Sequence, residues 1–196
     1  IRKRLLEYDD VMNKQRDVIY KRRKNALFGD HLKYDIINTI YDVAASIVSN
    51  TKGGNQFKEF EYEIIKFFTM EAPLTEAEFK AKTEREITDI VFKKAEEDYK
   101  NRLVLLKENS FPIIENVFKQ QGHMFKNVQV PFSDGTKTLT IVTDLKQAYE
   151  TQCESMINDF EKNICLTIID ENWKHHLKEM DDLRKSSQGA VYEQKD

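Results

Sequence analysis

The chain has little of what interrupts a helix: 3 Pro and 6 Gly in 196 residues. With 40% hydrophobic and 33% charged residues, that scarcity excludes a disordered chain and indicates a folded, helix-rich one. Cysteine is almost absent. Cys153 and Cys165 are the only two, and on one helix they would stand about 18 Å apart, beyond disulfide reach. Two thiols of this kind suggest a reducing compartment. No apolar run approaches the roughly 20 residues a bilayer-spanning helix requires, and no signal peptide is visible. Neither charge sign dominates: the formal net charge is -3, so nothing global points to nucleic acid.

Catalytic patterns are missing too. A phosphate loop needs closely spaced glycines followed by Lys and Ser or Thr, so that backbone donors reach the phosphates. The one Gly-Gly pair, Gly53-Gly54, runs into Asn55. His175 and His176 are adjacent and on a helix point about 100° apart, while His31 and His123 lack zinc-ligand spacing. All four are expected in structural or solvent roles, with no metal site. The acidic pairs Asp9-Asp10 and Asp181-Asp182 read as exposed helix surface, since acid–base work needs a cleft and a shifted pKa. No catalytic residue is assigned.

What remains is periodicity. Leu5, Met12, Ile19 and Ala26 recur every seven residues beside Val11 and Val18, predicting one helix from Ile1 to about Phe28 with a thin apolar stripe. Tyr8, Gln15, Arg16 and Arg22 fill its gaps. Residues 1–24 carry nine Lys/Arg against four Asp/Glu, including Lys21-Arg22-Arg23-Lys24, a run read as a solvated helix face. Ile36, Ile37, Ile40, Val43, Ala44, Ile47 and Val48 predict a second helix ending before Ser49, where a turn-rich linker begins. Phe57, Phe60, Ile64, Phe67 and Phe68 share helical spacing and are expected to be core. Thr75 and Glu78 make a capping box with Leu74 as its staple, opening a charged helix to about Asn109 that Pro112 kinks or restarts. Val128, Val130 and Phe132, then Asp134-Gly135, then Leu139 and Ile141 form a β-hairpin pattern. The last helix is expected to start after Asp144 and end near Ser186-Ser187, with a loop through Tyr192. The fold class is therefore mainly α, with one small β-hairpin at about 127–143. The chain also opens without Met inside a helical pattern, and is expected to be a piece of a longer protein.

Two stretches go beyond generic helix. The run from Leu5 to Arg16, LLEYDDVMNKQR, resembles the opening of the helical scaffold domain of the SecA family of preprotein translocase motors. Trp173-Lys174-His175-His176-Leu177, Met180-Asp181, Leu183-Arg184 and Tyr192-Glu193-Gln194-Lys195-Asp196 resemble the first helix and tip of that family's two-helix finger. The stretch before the tyrosine, residues 186–191, departs from the family pattern, which carries a bulky apolar pair and Arg-Gly. The resemblance implies long scaffold helices at 1–49 and 144–196 flanking a helical wing at 50–143. It implies that Arg16, with Asp9 and Asn13, faces ATPase domains elsewhere in the parent protein, where ATP and Mg are held; no cofactor is expected on this chain. It implies that Tyr192, Gln194 and Lys195 touch unfolded preproteins and the SecY channel complex. Partners in cis would be the nucleotide-binding and preprotein-binding domains, and the protein would be cytoplasmic, with peripheral contact at the inner membrane. The competing reading is a stand-alone helical adaptor that binds a protein through its aromatic wing or hairpin edge, without any motor.

Overall fold

The structure is a computed structural model that describes residues 2–28, 32–54, 56–133, 135–136 and 138–193, with side chains from Leu6 to Ser186. Among the described residues there are seven helices and one two-stranded sheet: α1 (Arg2–Phe28), α2 (Leu32–Lys52), α3 (Phe57–Phe68), α4 (Glu76–Ala81), α5 (Glu84–Gln121), β1 (Asn127–Ser133), β2 (Thr138–Asp144), α6 (Leu145–Glu150) and α7 (Glu154–Glu193). The mainly α class with a single hairpin is as the periodicity predicts. The chain divides into two compact units, one of Ile1–Leu32, Gln129–Val142 and Asn158–Asp196, the other of Lys33–Val128 and Thr143–Ile157.

The second unit holds a core of Ala44, Ile47 and Val48 from α2, Phe60 and Ile64 from α3, Leu74 before α4, Phe79 on α4, and Ile87 and Val91 from α5. Apolar side chains at three- and four-residue spacing put one stripe of each helix into this core. The aromatic stripe of α3 is only partly used. Phe60 is fully buried and Phe57 and Phe68 pack at its margin, but Phe67 is exposed. The ring of Phe79 lies 4.9 Å from that of Phe60 and 5.6 Å from that of Phe57.

Helix ends are closed by specific partners. At α4 the Thr75 hydroxyl accepts from the Glu78 backbone N–H while the Glu78 carboxylate accepts from the Thr75 N–H, the reciprocal box the sequence indicates. Thr83 and Glu86 form a second box that starts α5. The predicted single helix from Thr75 onward is thus two helices, separated at Lys82-Thr83. At C-termini, where carbonyls lack helical partners, long cations from other helices serve. Lys52 Nζ donates to the carbonyls of Phe79 and Lys80, and Arg102 donates to those of Phe68 and Thr69 at 3.4 and 3.3 Å. Each places positive charge at the negative end of a helix dipole.

Three further expectations are corrected. Helix α2 continues through Thr51, whose buried hydroxyl donates to the Ile47 carbonyl at 2.8 Å, so the linker shrinks to the residues around Gly53-Gly54. Helix α5 does not restart at Pro112 but carries it within 38 residues. The last long helix does not begin at Asp144. Asp144 caps the short α6, accepting from the Gln147 N–H, and the chain breaks at Thr151–Cys153 before α7. Tyr149 of α6 stacks on Phe118 at 4.4 Å and on Phe111 at 6.1 Å, both from α5.

The hairpin matches its predicted span. Gly135 adopts φ +91, a conformation that costs glycine nothing; Asp134, expected beside it in the turn, lies outside the described residues. Phe132 packs on Phe160 of α7 with ring centroids 4.4 Å apart, which answers how so small a sheet is supported.

Candidate coupling surface on helices α1 and α7

Helix α1 has 27 residues and α7 has 40. Among the described residues, side-chain contacts join them at three levels. Tyr8 receives the Arg184 guanidinium 5.9 Å from its ring centre, Gln15 Oε1 lies 2.9 Å from His176 Nε2, and Arg23 pairs with Asp170 at 3.2 Å. As the position advances along α1 from 8 to 15 to 23, the partner recedes along α7 from 184 to 176 to 170. The helices are therefore antiparallel, tied about every two turns.

The apolar stripe explains this register. Met12 and Ala26 are buried and Ile19 half-buried, as the seven-residue repeat requires. On α7 the half-buried positions Leu166, Ile169, Trp173, His176 and Met180 alternate at three and four residues, the pattern of a seam between paired helices. Val11 and Val18, expected beside the stripe, are exposed instead at 46% and 53%. Between the helices lies a groove of about 590 Å³ whose walls include Val18, Ile19, Arg22, Ile168, Trp173 and His176. Of its polar members, Gln15 stands in the sequence as a gap in the α1 stripe and His176 within the run Trp173-Lys174-His175-His176-Leu177. The basic run is exposed throughout, with Arg23 engaged by Asp170.

Asp9, Asn13 and Arg16 are all exposed on α1, and Arg16 Nη1 donates to Asn13 Oδ1 at 3.5 Å. Spacings of four and three residues place the trio on one face, about a quarter turn from the stripe that meets α7. The backbone of Tyr192 lies in the last turn of α7 rather than in the expected loop, because the helix continues past Ser186-Ser187 to Glu193. Gln194 and Lys195 lie outside the described residues.

Among the described residues no group of His, Cys, Asp and Glu could hold a metal ion, and no helix is long and apolar enough to cross a membrane. His175 reaches Glu179 on its own helix at 3.4 Å, while His176 stacks with Trp173 and binds Gln15.

Comparison with known proteins covers the whole chain. The family described as SecA Wing and Scaffold domain matches residues 1–196. Protein translocase subunit SecA of Christiangramia forsetii is 50% identical over the full chain, that of Flavobacterium psychrophilum 49%, and that of Parabacteroides distasonis 44%. The chain spans only 18%, 18% and 17% of those relatives' own lengths. No solved structure matches it. With the paired helices α1 and α7 and a family match from the first residue to the last, the chain belongs to the SecA Wing and Scaffold domain family.

Proposed function

We propose that this chain is the mechanical part of a SecA-type translocase, joining nucleotide-driven movement made elsewhere in the protein to a polypeptide held near the end of α7. The observation that supports this most is the antiparallel tie of α1 to α7 with the Asp9–Asn13–Arg16 face left open. A helix gripped at three levels resists sliding, so a push delivered to the open face of α1 is carried by α7 as displacement. A compact globule would dissipate it.

In this reading residues 1–49 and 144–196 form the scaffold and 50–143 the wing. Arg16, positioned by Asn13 and flanked by Asp9, meets the ATPase domains of the parent protein, which hold ATP and Mg. Tyr192, with Gln194 and Lys195, touches the unfolded preprotein at the mouth of the SecY channel. A tyrosine suits a substrate without fixed sequence, because its ring is amphipathic and loses little rotamer entropy. The protein works at the cytoplasmic face of the inner membrane as a peripheral partner of the channel.

The test uses the full-length subunit with channel vesicles and a preprotein. Arg16→Ala is expected to leave the fold intact and to abolish preprotein-stimulated ATP hydrolysis. Tyr192→Ala is expected to retain that hydrolysis and lose transport. Normal transport in both variants would refute the assignment.

A further inference from the structure

The break between α6 and α7 has no cause in its own sequence. Residues 145–157, LKQAYETQCESMI, contain neither Gly nor Pro, yet Gln152 and Cys153 stand at φ 49 and φ 66. Left-handed backbone is ordinarily left to glycine, since other residues bring Cβ against the following carbonyl. Here two consecutive non-glycine residues adopt it.

Tertiary contacts impose the bend. On an unbroken helix Leu145, Ala148, Tyr149, Gln152 and Met156 would share one face, with the polar Gln152 at its centre. The break turns Gln152 out to solvent and brings Cys153 and Ile157 in, so that Leu145, Ala148, Cys153, Met156 and Ile157 are all buried. Local bonds hold the corner. Cys153 N–H donates to the Ala148 carbonyl at 2.7 Å, the Thr151 hydroxyl donates to the Gln147 carbonyl at 2.7 Å, and Ser155 N–H donates to the Thr151 hydroxyl at 3.1 Å. Glu154, the first residue of α7, is gripped from two other helices, by Lys33 of α2 at 2.8 Å and by Lys107 of α5. One group is poorly served: the Ser155 hydroxyl is buried and has no hydrogen-bond partner among the described residues. In an unbroken helix it could donate to the carbonyl four residues back.

We propose that residues 145–157 are a two-position hinge, alternating between this bent pair of helices and one continuous helix, with the Lys33–Glu154–Lys107 grip holding the bent position. Strain at two residues and an unserved hydroxyl favour straightening, while buried Cys153 and Ile157 and the grip on Glu154 favour the bend. Opposing local and tertiary preferences of this kind are what make an element bistable. The hinge does not depend on the coupling role proposed above and can be tested without nucleotide, channel or preprotein.

Spin labels at Lys146→Cys on α6 and Asn158→Cys on α7, both exposed sites, measure it in the full chain with Cys165→Ser. Cys153 is buried and stays unlabelled, as mass spectrometry will verify. A continuous helix separates the two labelled Cα atoms by about 18 Å, and the bent position gives a second, distinct distance. Gln152→Gly relieves the left-handed strain at 152 and weakens the continuous helix, so it should leave only the distance of the bent position. Gln152→Leu places an apolar group at the centre of the continuous helix's face, and Glu154→Gln loosens the grip; both should raise the 18 Å population. The straight-to-bent ratio should differ roughly thirtyfold between the Gly and Leu variants. One unchanged distance distribution in all three variants, each folded by circular dichroism, overturns the hinge, whichever distance it is.

Discussion

Phe79→Ala is expected to lower the stability of the core shared by α2, α3, α4 and α5 by about 4 kcal/mol. The ring is fully buried, lies 4.9 Å from Phe60 and 5.6 Å from Phe57, and has the Lys52 ammonium 5.1 Å from its centre. Removing a buried phenyl ring costs about 3–5 kcal/mol, through lost transfer energy and the cavity left behind. The middle of that range, rather than its lower end, is expected here, because α4 has six residues, too few to persist without docking. Its one fully buried side chain is the anchor, and without it the carbonyls that receive Lys52 are no longer held in place. For a chain of this size each kcal/mol moves the melting temperature by about 2–4 °C, so a fall of about 8–16 °C is expected. Phe79→Leu, which keeps most of the volume but loses the ring pairing, should cost about 1 kcal/mol. Urea and thermal unfolding followed by far-UV circular dichroism measure both. An Ala variant within about 1 kcal/mol of the parent chain would refute the view that Phe79 anchors α4.

Acid should weaken the corner at Glu154. Hydrogen bonds from Lys107 and then Lys33 hold its carboxyl below the usual carboxylate range; the stability this adds is present above the unfolded value and is lost as pH falls through the folded one. Urea midpoints between pH 6 and pH 3 should therefore drop more steeply in the parent chain than in Glu154→Gln, and equal slopes would refute the grip. A double-mutant cycle on Gln15→Ala and His176→Ala should give a coupling of about 1 kcal/mol, and zero coupling would mean the 2.9 Å contact does not tie α1 to α7. Gly135→Ala should cost about 1 kcal/mol through backbone strain alone, since nothing lies within 4 Å of the added methyl at φ +91; urea denaturation reads it.

Much of this molecule could be read from residue spacing, where a single period or cap dominates. The repeat through Met12, Ile19 and Ala26 located the face that meets α7, because a stripe that thin can serve only one neighbour. The Thr75–Glu78 box and the alternation around Val130 and Ile141 set their elements for equally local reasons. Thr83–Glu86 carries the same signature as Thr75–Glu78, but its position inside a long charged run hid it. The corner at Gln152-Cys153 had no signal at all, since it depends on Lys33 and Lys107, distant in sequence, and on the burial of Cys153. The outward turn of Phe67 likewise depends on which neighbours α3 finds. At the candidate surface, the resemblance to the scaffold opening singled out Asp9, Asn13 and Arg16, and helical spacing then sets them on one face of α1. The Gln15–His176 bond joins residues 161 positions apart and becomes legible only once the helices are paired.

Trp173 is the chain's only tryptophan, and it sits in the wall of the groove between α1 and α7. All indole emission from this chain therefore originates at one interface, without any added dye. A ligand that wedges into that cleft, or a movement that opens it to water, will shift the colour of the intrinsic fluorescence. Events confined to the core around Phe60 and Phe79 should leave that colour unchanged.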